Sequence, residues 1–111
     1  MTTPSKTLLI VAHTPSPNTL RLVDAMVSAA NSVNAALKEK QDNVTHIQVI
    51  HKAALTTEPD DVLQADAIIL MTPENLGYMS GGMKDFFDRC YYPCIETKQG
   101  LPMAAVIRAG H

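Results

Sequence analysis

Residues 67–89 read AIILMTPENLGYMSGGMKDFFDR, and this stretch changes its hydrophobic period within a short length. Residues 67–71 are a continuous apolar run, which is typical of a strand covered on both faces of a parallel sheet. Pro73 is expected to end that strand. Beyond the glycines, apolar residues recur at helical spacing with charged residues largely between them. The stretch therefore predicts a strand, a loop over residues 72–82 and a helix that begins near Ser80.

The predicted loop suits contact with a flat ligand. Its glycines, Gly77, Gly81 and Gly82, permit backbone conformations and close approaches that a side chain would block. At least one of Gly77 and Gly81 is therefore expected to have a positive φ or to contact a ligand. The alternative is an ordinary strand-to-helix connection with a solvated turn.

A similar strand, loop and helix come first in the chain. Residues 7–12 are another continuous apolar run, and a helix with an apolar stripe follows. Ser16 or Asn18 is expected to be the N-cap, with Pro17 in the first turn. Backbone N–H groups and hydroxyls would converge there at the positive end of the helix dipole, which stabilises a phosphate. Plain helix capping explains the same residues without a ligand.

The remaining sequence predicts further strands and a helix, which together with the first two units form a doubly wound α/β sheet. Residues 44–50 alternate between apolar and polar, as in an edge strand, and a short helix is expected from about Pro59. Residues 103–107 are a fourth strand of the buried type. In such a sheet ligands bind at the carboxyl ends of the strands, so the two loops would open at the same edge.

These residues resemble the flavodoxin-like superfamily, and in particular its NAD(P)H-dependent FMN and quinone reductases. In that branch a strand ends in Thr-Pro, and a glycine-containing loop leads to a Lys-x-Phe-x-Asp helix. The corresponding residues are Thr72, Pro73, Gly77, Met79, Lys84, Phe86 or Phe87, and Asp88. The resemblance implies a flavodoxin-like, doubly wound parallel sheet with strand order 2-1-3-4(-5). The fifth strand and the last helix of that layout are expected to be absent from these 111 residues.

The resemblance also implies which residues would bind FMN. The loop after the first strand looks like the FMN phosphate-binding loop. It has no glycine, unlike that of most electron-carrier flavodoxins, which favours the reductase branch. The loop after the third strand would meet the flavin ring, and the segment after the fourth strand would begin a further flavin loop. The implied contacts are Thr14, Ser16, Asn18 and Thr19 for the phosphate, Pro73, Glu74, Asn75, Leu76, Gly77, Tyr78, Met79, Ser80 and Gly81 for the ring, and Ala109 and Gly110.

The implied function is that of an oxidoreductase that transfers hydride or electrons from NAD(P)H through FMN to a quinone or a similar acceptor. The flavin would supply the chemistry, so no catalytic side chain is expected. No metal site is expected either, because the four histidines have no short ligand spacing with the two cysteines. Two alternatives remain open. One is a non-enzymatic flavodoxin-type electron carrier, which the small net charge of −2 argues against. The other is a flavin-free regulatory domain of the same fold.

Length and composition are those of one globular domain, residues 1–111, with 46% hydrophobic and 18% charged residues. Lysine and arginine are scattered and no apolar run could cross a bilayer, so neither nucleic acid nor a membrane span is expected, and the prediction is cytoplasmic. Cys90 and Cys94 are expected to be reduced thiols. The fourth strand is apolar on both faces. This predicts that either further residues of a longer protein or a partner chain, as in a homo-oligomer, cover the sheet.

Overall fold

The computed structural model describes residues 5–40, 46–94 and 96–110. Strands and helices alternate along the chain, as predicted. The elements are β1 (Ser5–Ala12), α1 (Pro17–Lys40), β2 (His46–Ala53), a 3-10 turn (Ala54–Thr56), α2 (Pro59–Leu63), β3 (Ala67–Asn75), β4 (Tyr78–Met79), α3 (Gly81–Cys94) and β5 (Met103–Arg108). Residues 44 and 45 of the predicted second strand lie outside the described residues.

Four parallel strands form the sheet in the order β2-β1-β3-β5. This order confirms the predicted 2-1-3-4, because β5 is the fourth strand that the sequence indicates. The short β4 is an addition that pairs antiparallel with the end of β3. Since the four main strands are parallel, their carboxyl ends and the loops that follow share one edge of the sheet.

The helices cover both faces of the sheet. Residues paired across parallel strands point to the same face, so Val11 and Leu70 share one face, and Ala12 and Met71 share the other. The face of Leu70 packs against α2 and α3, and the face of Met71 packs against Val23 of α1. Burial stabilises the fold by about 1.5 to 3 kcal/mol for each large apolar side chain.

β5 is less covered than its composition predicts. Its residues are apolar on both faces, but five of the six are exposed, and Met103 and Ile107 are 57% and 64% exposed. Among the described residues, only β3 pairs with β5. The sequence predicts a strand that needs cover on both faces, and the described residues leave β5 largely uncovered. That further residues or a partner chain supply this cover stays a prediction.

Pro73 does not end the third strand, which continues for two more residues. Ile68 N–H donates to Pro102 O on the β5 side, whereas Met71 O accepts the His13 N–H on the β1 side. Because backbone directions alternate along a strand, the nitrogen of Pro73 points to the β1 side, where pairing has already ended at Met71. The proline removes no ladder hydrogen bond there, so the strand tolerates it.

The predicted loop contains a two-residue β-hairpin between β3 and β4. Leu76 and Gly77 form the turn, with φ of 53° and 76°. Positive φ at both central positions is the pattern of a type I′ turn, whose twist matches that of the flanking strands. The expected positive φ at Gly77 is confirmed. A continuous loop is wrong, because residues 72–75, 78 and 79 are in strands.

α3 begins at Gly81, close to its predicted start. Cys90 and Cys94 lie four residues apart on this helix and are buried as free thiols. Burial raises the pKa of both thiols above 9.0. Within the described residues, no helix is both long and apolar enough to cross a membrane.

Candidate functional site

Two loops meet at the carboxyl edge of the sheet, one between β1 and α1 and one between β3 and α3. His13 N–H, at the start of the first loop, donates to Met71 O of β3 at 3.1 Å. The His13 imidazole reaches the end of the second loop, where its Nδ1 lies 2.8 Å from Ser80 Oγ. The residues predicted for the phosphate and those predicted for the ring therefore belong to adjoining segments.

Ser16 is the N-cap of α1, which confirms one of the two predicted caps. Its Oγ accepts the Thr19 N–H at 3.3 Å. Thr19 also bonds to the backbone of Ser16. Its Oγ1 accepts the Ser16 N–H at 3.1 Å and donates to Ser16 O at 2.9 Å. Thr19 is 2% exposed, whereas Thr14 and Ser16 are half-buried. The Thr19 hydroxyl thus holds the start of the helix and fixes Ser16.

Asn18 lies on the exposed side of the first turn of α1, where its Oδ1 accepts a hydrogen bond from Arg21. Pro17 has no N–H, and the Thr19 N–H is capped by Ser16. In this turn the Asn18 N–H is therefore the donor that helix geometry leaves open. The first turn of this 24-residue helix contains no acidic residue, so its positive end is not neutralised locally.

The β3–β4 hairpin presents most residues predicted for the ring. Leu76 is fully exposed at the tip, and Tyr78 is 56% exposed, whereas Met79 is half-buried. Glu74 Oε1 accepts the Gly77 N–H at 2.9 Å. This bond ties the turn to the strand that leads into it. Of the other predicted hairpin residues, the structure places Pro73 in a buried and Asn75 in an exposed position.

An apolar cavity of about 440 Å³ lies beside the hairpin. Its walls come from the hairpin, α3 and β5, and they include Thr72, Met79, Phe87 and Ile107. The hairpin and the end of β5 therefore border a common apolar surface. Cavities of this size with few polar groups are typical of small-molecule sites.

Ser80 and Gly81 are adjacent in sequence but have different environments. Ser80 is fully buried and is the N-cap of α3, since its Oγ accepts the Met83 N–H at 3.3 Å. Its own N–H donates to Thr72 Oγ1 at 3.0 Å. A Cβ on Gly81 would meet no other atom within 4 Å. Ser80 thus holds the junction together, while the backbone of Gly81 faces open space.

Ala109 and Gly110 follow β5 and are exposed at the same edge. The register pairs Arg108 with Pro73, so this segment lies beside the hairpin. Arg108 Nη1 lies 3.3 Å from the position that a Cβ on Gly110 would take. The segment after β5 therefore brings a guanidinium group to the edge shared by the two loops.

His13 lies at this edge but was not among the site residues predicted from the sequence. Its partner Ser80 is 67 residues away, and no sequence pattern relates the two. One signal was available, because His13 directly follows a buried parallel strand, and ligands bind at the carboxyl ends of such strands.

The charged residues of α3 mostly pair with one another. Lys84 and Asp88 of the Lys-x-Phe-x-Asp pattern form an exposed ion pair of 2.6 Å, and the hydrogen bond to Asp88 raises the pKa of Lys84. Arg89 pairs with Asp85 at 2.8 Å and also donates to Thr57 O at 2.5 Å. These contacts support α3 and the segment before α2.

The strand order and the loops at one sheet edge define a flavodoxin-like α/β protein. The family model described as NADPH-dependent FMN reductase matches residues 6–111, and the chain belongs to that family. No curated protein sequence matches the chain significantly.

Two solved structures match most of the chain, and the first of them shares its fold. Oxidised flavodoxin 1 from Bacillus cereus is 18% identical with a TM-score of 0.50, and the match covers 96% of this chain and 87% of that one. A protein from P. pentosaceus, described as an NADPH-quinone reductase, is 20% identical with a TM-score of 0.47. That match covers 96% of this chain, which spans 61% of the reductase.

Proposed function

We propose that the chain binds FMN at the carboxyl edge of the sheet and acts as an NAD(P)H-dependent oxidoreductase that passes hydride or electrons to a quinone or a similar acceptor. The observation that carries this proposal is the family match over residues 6–111, which includes both loops and the start of the segment after β5. A cytoplasmic location remains part of the proposal.

The start of α1 fits a phosphate. Its first turn contains no acidic residue, and the Asn18 N–H is left open by helix geometry. The Ser16 hydroxyl lies at the same end, where the dipole favours an anion. We assign Thr14, Ser16 and Asn18 to the phosphate, with Thr19 holding Ser16 in place through their mutual hydrogen bonds.

The hairpin fits a flat aromatic ring. Tyr78 and Leu76 expose apolar surface, and Gly81 leaves open space beside the backbone. The carboxylate of Glu74 is occupied by the Gly77 N–H, so the turn is fixed before any ligand binds. We assign residues 73–81 to the ring, together with Ala109 and Gly110 from the segment beside Arg108.

Bound FMN supplies reversible hydride and electron transfer. The tasks left to the chain are to anchor the phosphate, to support one side of the ring and to leave the other side open to donor and acceptor. None of these tasks requires a general base or a nucleophile from the protein.

The binding half of the proposal is tested by titrating flavin fluorescence with the 111-residue chain. FMN should bind more tightly than riboflavin, which lacks the phosphate. Ser16→Ala should reduce this difference by about 1 to 3 kcal/mol, because a hydrogen bond to a charged group is lost. Ser28→Ala, on the exposed side of the same helix, is the matched control and should leave both affinities unchanged.

The catalytic half is tested by following the oxidation of NADPH and of NADH with FMN and 1,4-benzoquinone present. Oxidation that requires both the chain and FMN supports an oxidoreductase. Tight FMN binding without such oxidation would instead indicate an electron carrier. A chain that binds neither flavin would contradict the whole proposal.

A further inference from the structure

We propose that His13 is a positioning residue that sets the spacing between the phosphate end and the ring end of the FMN site. The inference rests on the proposed function. His13 begins the loop assigned to the phosphate, and its imidazole contacts the junction between the hairpin and α3, which is assigned to the ring.

Two hydrogen bonds fix His13 between the loops. Its N–H donates to Met71 O of β3 at 3.1 Å, and its ring Nδ1 lies 2.8 Å from Ser80 Oγ. Ser80 is fully buried, and Thr72 Oγ1 lies 3.0 Å from its Oγ. Backbone and side chain are therefore held by different elements, so the orientation of His13 is determined from both sides.

The contact extends to the backbone of the ring-binding segment. Thr72 Oγ1 also donates to Pro73 O at 2.9 Å, and Ser80 Oγ accepts the Met83 N–H at 3.3 Å. A connected set of polar groups thus runs from the imidazole to the first residue of the hairpin and to the first turn of α3. Such sets are rigid when each member has a partner.

Gly82 brings α3 close to the imidazole. A Cβ on Gly82 would lie 2.8 Å from Cδ2 of His13, which is closer than two such atoms can approach. The second glycine of the Ser80-Gly81-Gly82 sequence is therefore required by a histidine of the chain. This close packing restricts the ring of His13 in addition to its hydrogen bonds.

FMN is a single molecule with a phosphate at one end and a flat ring at the other. A protein that holds both ends gains affinity when the two anchors are already at the right separation, because binding then needs little rearrangement. Pro15 in the loop and Pro17, the first residue of α1, restrict the backbone from His13 to the start of the helix. The His13 contact is the side-chain bridge that sets this separation.

The test compares His13→Ala, His13→Asn and His13→Gln with the unmodified chain. The amide nitrogen of asparagine can reach the place of Nδ1, whereas that of glutamine extends toward Nε2. His51→Ala, on the exposed surface of β2, is the control. Dissociation constants for FMN, riboflavin and inorganic phosphate are measured, together with the thermal unfolding of each flavin-free chain.

We expect His13→Ala and His13→Gln to weaken FMN by about 3- to 10-fold, the value of one hydrogen bond. Riboflavin and phosphate occupy one anchor each, so their affinities should change much less. His13→Asn should restore most of the FMN affinity. If His13→Ala does not fold, the contrast between the asparagine and glutamine variants decides the question.

Three results would overturn the inference. Unchanged FMN affinity in the alanine or glutamine variant would overturn it while leaving the proposed function intact. An equal loss for FMN and riboflavin, without recovery in the asparagine variant, would show a merely structural role. A wild-type chain that does not bind FMN would remove both the inference and the proposed function.

Discussion

Gly81 and Gly82 are the same residue type at adjacent positions, and only their surroundings distinguish them. A side chain at Gly81 would enter open space, whereas one at Gly82 would meet the His13 ring. Gly82→Ala should therefore lower the free energy of unfolding by about 1 to 3 kcal/mol, the usual effect of overpacking. Gly81→Ala should change it by less than about 0.5 kcal/mol. Urea unfolding of both variants tests this, and equal effects would contradict the His13 contact.

Thr19 has a structural role that its sequence interpretation as a phosphate contact did not include. Its hydroxyl is buried and bonded to both the N–H and the C=O of Ser16. Thr19→Val should lower the free energy of unfolding by about 1 to 3 kcal/mol, because the Ser16 N–H loses its partner. Thr56→Val is the control, since that hydroxyl is exposed and bonds Ala53 O at 3.3 Å. Chemical denaturation that ranks the two variants equally would argue against this capping role.

At the residue scale, sequence reasoning predicted the local contacts and missed the distant ones. Ser16 was recognisable as an N-cap because capping involves neighbouring residues. The Thr19 hydroxyl could face the phosphate or the backbone of Ser16, and the sequence agrees with either orientation. Which one is adopted depends on how the turn closes. The His13 to Ser80 contact depends on the sheet that brings the two loops together, so no local pattern could reveal it.

At the scale of a single element, the β3–β4 hairpin contains one residue, Leu76, in an unfavourable backbone conformation. Leu76 has φ of 53° and is fully exposed, and a left-handed conformation costs a non-glycine residue about 1 to 2 kcal/mol. Leu76→Asn should raise the melting temperature, because asparagine favours this position of a type I′ turn. Gly77→Ala should lower it, because φ is 76° there. Calorimetry of both variants checks the turn, and a stabilising Gly77→Ala would contradict it.

The buried thiols of α3 predict a pH dependence. Burial raises the pKa of Cys90 and Cys94 above 9.0 in the folded chain, so above pH 9 the folded state holds protons that the unfolded state releases. Stability from these groups is complete well below pH 9 and is lost as the pH rises through the raised pKa of the folded thiols. Unfolding measured between pH 7 and 10 should show this decrease. The free energy of unfolding should fall less steeply with pH when both cysteines are replaced by alanine. An unchanged dependence on pH would contradict burial of the thiols.

At the element scale, the strong patterns were predictable. The apolar runs of β1 and β3, the stripe of α1 and the start of α3 appear where the periodicity indicates. The hairpin was missed because its turn contains Leu76 instead of asparagine or aspartate before the glycine. Pro73 was a misleading signal, since its effect depends on which neighbour its nitrogen faces.

At the scale of the whole molecule, the order of the strands followed from the resemblance to the flavodoxin-like superfamily, and the structure confirms it. What covers the apolar faces of β5 did not follow from it, since burial of a strand depends on what lies against it. Association between copies of the chain stays a prediction. The central claim is that three distant segments, the α1 loop, the hairpin and residues 109–110, form one FMN site at the carboxyl edge.

The most direct test of that claim is to add FMN to the ¹⁵N-labelled chain and to follow its backbone amide signals. Our account predicts saturable shifts at residues 14, 16, 18 and 19, at residues 74–81, and at residues 109 and 110. Signals from β2, at the far edge of the sheet, should not move. Shifts confined to only one of the three segments, shifts centred on β2, or no shifts at all would contradict it.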